Sequence, residues 1–190
     1  MLLDDLVEAS ATLIDTTCRD DAAQTGVRPA GVLNGATKVV ATGVTAATYD
    51  ADLAALTDSF IAKNLSLTGA HYVMSATRAS AIGRLRDALG NRFYPDMAKG
   101  PGEKSLDGIP VIESENAGEV IALVKPSEIF LADEGEVEVA FSDQATIDMG
   151  ATTLVNLWQQ NMTAIRAERH ITWAKRRTTA AAYIDYSAIP

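Results

Sequence analysis

AHYVMSATRASAIGRLRDALG, residues 70–90, reads as a strand that turns directly into a helix. His71 and Val73 alternate with Tyr72 and Met74, which puts β-branched or aromatic residues on both sides and predicts a strand covered on both faces. Ser75 is placed to cap a helix over 76–89, because its hydroxyl can accept from a backbone N–H two or three residues on. Ala79, Ile82, Leu85 and Leu89 then recur three or four apart as one apolar stripe, and Gly90 stands where a helix can stop in a left-handed conformation. Downstream, LDGIPVI at 106–112 places the tight-turn pair Asp107-Gly108 between apolar residues, with a strand starting at Val111 and Ile112.

Working outward, residues 2–14 predict an amphipathic helix with Leu2, Leu6, Ala9 and Leu13 on one face beside Asp4, Asp5 and Glu8. Residues 36–49 read as loop or weak edge strand. Asp50 opens a helix over 52–63 with the stripe Leu53, Leu56 and Phe60, and Asn64 ends it. Pro95, Gly100, Pro101 and Gly102 mark a mobile loop. Strands follow at Val120–Val124 and Ile129–Leu131, and the alternation Glu136 to Phe141 predicts a strand with one wet and one buried face. In the tail, Ile165, Ala167, Ile171 and Trp173 share one side of a single long strand, interleaved with Arg166, Glu168, His170 and Thr172.

These pieces, in this order, resemble the major capsid proteins of tailed bacteriophages with the Hong Kong 97-type fold. The resemblance is carried by Tyr72, Val73, Met74, Ser75, Leu85, Asp87, Gly90, Leu106, Gly108, Pro110 and Val111. It continues through Ile14 and Asp15 into Arg28, Pro29, Ala30, Gly31, Val32, Leu33, Asn34 and Gly35. The strand region matches at Ile129, Leu131, Ala132, Asp133, Gly135, Val137, Val139 and Ser142. The tail matches at Asn161, Thr163, Ile165, Arg166, Glu168, Arg169, Arg176 and Ala180, with Arg177 standing where the family often has proline. In that family an N-terminal arm and an extended loop precede the long spine helix, and residues 2–14 align with the end of that helix. The expectation is therefore a fragment or a shortened gene that does not close into shells alone. Some members cross-link neighbours through a lysine in the extended loop, so no cross-linking residue is carried over.

Composition sets further bounds. The 190 residues suit one or two domains, and 47% hydrophobic with 22% charged residues argue for a folded chain. No apolar run approaches the ~20 residues that span a bilayer, and the acids of MLLDDLVEA do not suit a signal peptide. A lone cysteine, Cys18, fits a reducing compartment. The net charge of −9 is uneven: residues 101–150 carry two lysines against twelve acids, whereas 161–190 carry five bases against two acids. Such segments can meet as complementary surfaces of neighbouring copies, or remain solvated faces of one. With no basic patch interleaved by aromatics, sequence-specific nucleic-acid binding is not expected.

Chemistry finds little purchase. His71 and His170 lie far from each other and from Cys18 in sequence, without H-E-x-x-H or C-x-x-C spacing, so no metal site is expected. His71 reads as a packed strand residue and His170 as a surface or interface residue. Cys18 has no identified base, and KGPGEKS at 99–105 lacks the spacing and the following helix of a phosphate loop. The carboxylate pairs Asp20/Asp21, Asp133/Glu134 and Glu136/Glu138 read as solvated acids.

The expected fold is α+β, a Hong Kong 97-like capsid fold with a mixed sheet flanked by helices and a peripheral helix-and-long-strand region. Residues 36–149 form the expected central, axial-like domain. Residues 1–35 and 150–190 form the peripheral part, with a last strand at about 178–185 returning to the central sheet. The resemblance implies a non-enzymatic shell subunit with no catalytic, cofactor-binding or metal residues. It implies self-assembly into pentamers and hexamers, a scaffolding protein and a portal as further partners, no membrane, and a virion assembled in bacterial cytoplasm. An encapsulin-like compartment shell is the alternative on the same fold. A small unrelated enzyme is a third reading, which an apolar pocket with converging polar groups would favour.

Overall fold

The computed structural model describes residues 2–100, 102–135, 137–150 and 153–189. Three helices, α1 (Leu2–Arg19), α2 (Ala46–Ile61) and α3 (Ala76–Arg84), accompany twelve strands among these residues. Six strands make one mixed sheet: β1 (Thr37–Val40), β2 (His71–Met74), β3 (Ser105–Leu106), β4 (Ile109–Glu113), β5 (Val120–Val124) and β12 (Ala181–Asp185). Their order is β1-β12-β5-β2-β4-β3, with β1–β12 and β2–β4 parallel and the other neighbours antiparallel.

Both faces of the sheet are covered, as the alternation of His71 to Met74 predicts. Tyr72 and Met74 of β2, Ile121 and Leu123 of β5, and Ala182 and Ile184 of β12 pack with Leu53, Leu56, Phe60, Ala79 and Ile82 of the helices. The alternate residues, Val73, Ala122, Val124, Ala181 and Tyr183, point the other way and pack with Val32, Leu33, Trp173 and Ile14. Period-two alternation thus builds two cores from one layer of strands.

Local signals explain most element ends. Ser75 Oγ accepts from Arg78 N at 3.3 Å and donates to the Gly118 carbonyl at 2.8 Å, which fixes the start of α3 against the loop before β5. Asp107 (φ 51°) and Gly108 (φ 77°) make the left-handed pair that turns β3 into β4.

Several expectations need correction. Helix α3 ends at Arg84, five residues short, because Leu85 is extended (ψ 135°). Beyond it the Asp87 carboxylate accepts from the N–H groups of Leu89 and Asn91 at 2.9 and 2.8 Å, a local bonding pattern that competes with helix. Leu89 is left exposed and Gly90 belongs to that loop. Helix α2 starts six residues early, since Thr45 and Thr48 form a reciprocal cap, and Asp50 lies inside it. Helix α1 continues to Arg19, and its half-buried face is Leu6, Ser10, Ile14 and Cys18, with Leu13 exposed. The side chains of Leu2 and Asp4 lie outside the described residues. The loop around Pro95 is anchored, for Tyr94 and Met97 are buried; Pro101 lies outside the described residues.

The other six strands form a long two-stranded ribbon. It leaves the sheet as β6 (Ile129–Asp133), β7 (Glu138–Ser142) and β8 (Thr146–Asp148), and returns as β9 (Leu154–Asn156), β10 (Ala164–Glu168) and β11 (Ile171–Lys175). The pairs are β6–β11, β7–β10 and β8–β9, all antiparallel. The expected single tail strand is broken at Arg169–His170, because the partner strand takes five steps from Asp133 to Glu138 against three from Glu168 to Ile171, a bulge between the two pairs. Gly135 (φ 80°) takes the left-handed position in the bulge, and its N–H is held by Asp133 Oδ1 at 3.0 Å.

Candidate functional site

The loop from Arg28 to Gly35 ties α1, the sheet and the ribbon together. Arg28 donates to both carboxylate oxygens of Asp20 at 2.6 and 2.7 Å, and Val32 N–H reaches the Cys18 carbonyl at the end of α1. From the ribbon, Trp173 Nε1 donates to the Ala30 carbonyl at 2.8 Å and Lys175 Nζ to the Asn34 carbonyl at 2.5 Å. Gly31 passes so close to Asp20 that a Cβ there would collide with the Asp20 carbonyl. Ser114 and Asn116 each donate to Asp15 Oδ2 at 2.7 Å. Burial works to raise the Asp15 pKa, but the bonds from Asn116, Ser114 and Arg19 hold it below the ordinary carboxylate value. The residues quoted for the resemblance in this segment are thus the ones that lock helix to sheet.

Beyond this junction, apolar surface is left uncovered. Phe130, Leu131 and Phe141 are each 65% exposed and Trp158 is 71% exposed, with Val139, Met149 and Leu154 beside them on the ribbon. Val139 lies opposite Ala167 and Phe141 opposite Ile165, so the expected apolar face of β7 exists but is not buried within the chain. Glu136, at the start of that alternation, lies outside the described residues. Helix α1 is similarly bare: from Asp5 to Leu13 no side chain is buried. Leu6, Val7, Ser10 and Ile14 face Val137, Val139 and Ala167 across a groove of about 140 Å³. Patches of this kind on folded chains mark interaction surfaces.

The two charged segments meet partly within one chain. Arg169 pairs with Asp133, and Arg177 approaches Glu128 at 3.6 Å. Lys175 is held below the usual lysine range by burial.

The residues considered for chemistry stay apart. His71 is half-buried in β2 and His170 is exposed at the ribbon bend. Burial, with the carboxylate of Asp15 next, pushes the Cys18 thiol up, the wrong direction for a nucleophile. Among the described residues no group of three or more His, Cys, Asp or Glu could hold a metal ion, and no helix is long and apolar enough to cross a membrane. Tyr72 and Tyr94 have buried hydroxyls without a protein partner among the described residues, and burial pushes Tyr94 up to about 12.

A model of the phage capsid family matches residues 19–186, which takes in the locking loop, the sheet and the ribbon. The chain belongs to the phage capsid family. It is 41% identical over 177 residues to a capsid polyprotein of Pseudomonas phage PAJU2, covering 86% of this chain and 26% of that protein. Its fold is similar to a chain from Gordonia phage Cozz, with TM-score 0.68, 14% identity, and 98% and 62% of the two chains covered. A chain described as the capsid of an empty GTA particle gives TM-score 0.64 at 17% identity, covering 97% of this chain and 64% of that one. The fold is therefore the α+β Hong Kong 97-like capsid fold, and the chain spans about a quarter of its curated relative and under two thirds of these two solved chains.

Proposed function

We propose that this chain is the shell-forming part of a major capsid protein of a tailed phage or prophage, acting by assembly with no chemical step. The observation that carries this reading is the apolar surface of the ribbon and α1, which a lone chain leaves wet. Covering such surface supplies roughly 25 cal/mol per Å², and interfaces of ~1,000–2,000 Å² become cooperative when many copies engage together. Heterologous contacts that close on themselves give ring-shaped capsomers, pentamers and hexamers, and then a head. The partners in this reading are copies of the chain, with a scaffolding protein and a portal during assembly in host cytoplasm, and the destination is the virion.

In this reading the central body is 36–128 with 178–189, and the peripheral body is 1–35 with 129–177. The pairing of β6, β7 and β8 with β11, β10 and β9 supports moving 129–149 out of the 36–149 unit expected from sequence. The encapsulin-like alternative is not favoured by the relatives matched, which include a phage capsid polyprotein. Electron microscopy of the full-length polypeptide containing this chain tests the proposal. Closed heads of regular size are expected; a polypeptide that stays monomeric at every concentration and salt overturns it.

A further inference from the structure

The ribbon combines three features that point to the same kind of contact. Each of its strands has one partner among the described residues, so both outer edges present unpaired N–H and C=O groups. Exposed apolar edge strands are normally blunted by lysine or proline, because they template pairing with another chain. Here the outgoing strand carries no lysine, arginine or proline from 127 to 165, its charges are all acidic, and Phe130, Leu131, Val139 and Phe141 stand exposed along it. The charge is also divided by edge. The outgoing side, 128–148, carries seven acids, whereas the returning side, 164–177, carries five bases and one acid.

We infer that copies of this chain join ribbon to ribbon, the acidic outer edge of β6–β7 adding to the basic outer edge of β10–β11 of the next copy. This rests on the reading that the chain is a shell subunit, and it names the surface and its occupant. Ribbons set side by side in one orientation keep an antiparallel order throughout, since an outgoing strand then meets a returning one. The contact is heterologous: each copy offers one acidic and one basic edge, so a ring can close without a self-complementary patch. Cross-strand pairing of Asp133 with Arg169 holds each ribbon together. Glu134 and Glu138 lie exposed on one edge and Arg176 on the other, together with Arg166, whose exposed 3.1 Å pair with Glu168 on its own strand can be exchanged for a neighbour's carboxylate. Edge addition satisfies the unpaired backbone groups and covers the apolar side chains in the same step.

A charge swap tests this. One variant, Glu134→Lys with Glu138→Lys, sets lysines against Arg166 and Arg176 of the next copy; a second, Arg166→Glu with Arg176→Glu, sets glutamates against Glu134 and Glu138. Sedimentation velocity is read at a concentration where the wild-type chain associates, with thermal melts to show that each variant is folded. Loss of association for each variant alone, and its return in an equal mixture, is the expected result. Association of either variant alone at wild-type strength overturns the inference, as does a mixture that stays monomeric while wild type associates; both leave the shell reading standing. Wild type that never associates also overturns the inference, while the shell reading is decided separately by the microscopy of the full-length polypeptide. Benzophenone placed at Phe141 in a mixture of isotope-labelled and unlabelled chains gives a second readout. Interchain adducts within 164–177 support the contact, and interchain adducts confined to other segments overturn it.

Discussion

Asp52→Ala is expected to cost about 4 kcal/mol of folding stability, worked from the bonds it removes at about 1–3 kcal/mol for each buried group left unpaired. Asp52 sits on α2 with only 2% of its surface exposed, yet it accepts three hydrogen bonds. Thr42 N–H donates at 3.0 Å, Thr42 Oγ1 at 2.7 Å and Tyr186 Oη at 3.0 Å. This carboxylate thereby clips the ends of β1 and β12 to the helix that covers them. Tyr186 is itself fully buried, its ring tilted 39° to that of Tyr49 at 5.2 Å and lying under the Arg78 guanidinium at 4.8 Å, so its hydroxyl has no route to water. Alanine leaves the buried Tyr186 O–H and the part-buried Thr42 N–H without an acceptor, whereas the Thr42 hydroxyl can rotate to solvent because Thr42 is an exposed residue. Losing the buried charge returns some desolvation energy, which keeps the total below the sum of its parts. Asp52→Asn retains one acceptor oxygen, and a loss nearer 1–2 kcal/mol is expected. Urea unfolding at pH 7, read as the shift in midpoint at constant slope, measures both. An alanine variant within about 0.5 kcal/mol of wild type, the range of an ordinary surface change, would refute the reasoning.

Four further outcomes are expected. Gly31→Ala drives a methyl into the Asp20 backbone and should cost about 3 kcal/mol, the upper end for overpacking, with α1 released from the sheet in the circular dichroism melt. Asp185 is held down to about 2 by Ser187 and then by Lys38; its contribution is full above the ordinary value of 3.8 and lost as pH falls toward 2. Asp185→Asn should therefore be less stable than wild type at pH 7, with the gap closing between about pH 4 and pH 2 and gone below it, in melts taken across that range. Leu131→Ser and Phe141→Ser should leave monomer stability within about 0.5 kcal/mol but abolish association in light scattering. Amides of residues 5–13 should exchange within seconds in the free chain and be protected in assembled particles, as hydrogen–deuterium exchange will show, because a helix with one bare face gains its stability from packing.

The sheet was legible because both of its faces are filled from within the chain. His71 to Met74 alternate between two cores, and Asp107-Gly108 announced its turn through backbone chemistry alone. Helix ends were less so. The stripe through Leu85 and Leu89 looked helical, but Asp87 offers the backbone a competing set of bonds that periodicity does not register. Thr45 and Thr48 cap α2 with two hydroxyls in place of the usual acidic partner, so the sequence carries no familiar signal for the early start. The alternation from Glu136 to Phe141 predicts one buried face, and an apolar face is present at Val139 and Phe141. Sequence reports that a face wants covering; it does not report whether the cover comes from the same chain. The Asp52 clip was missed as well, since Thr42, Asp52 and Tyr186 share no local spacing.

Hydroxyl-radical footprinting of Phe130, Leu131, Phe141 and Trp158 in the free chain and in assembled heads bears most directly on the claim that this surface is built to be covered by copies. Oxidation of Phe130, Leu131 and Phe141 should fall sharply on assembly, while already buried residues such as Tyr72 stay unreactive in both states. Equal labelling of those three in heads and free chain would contradict the account.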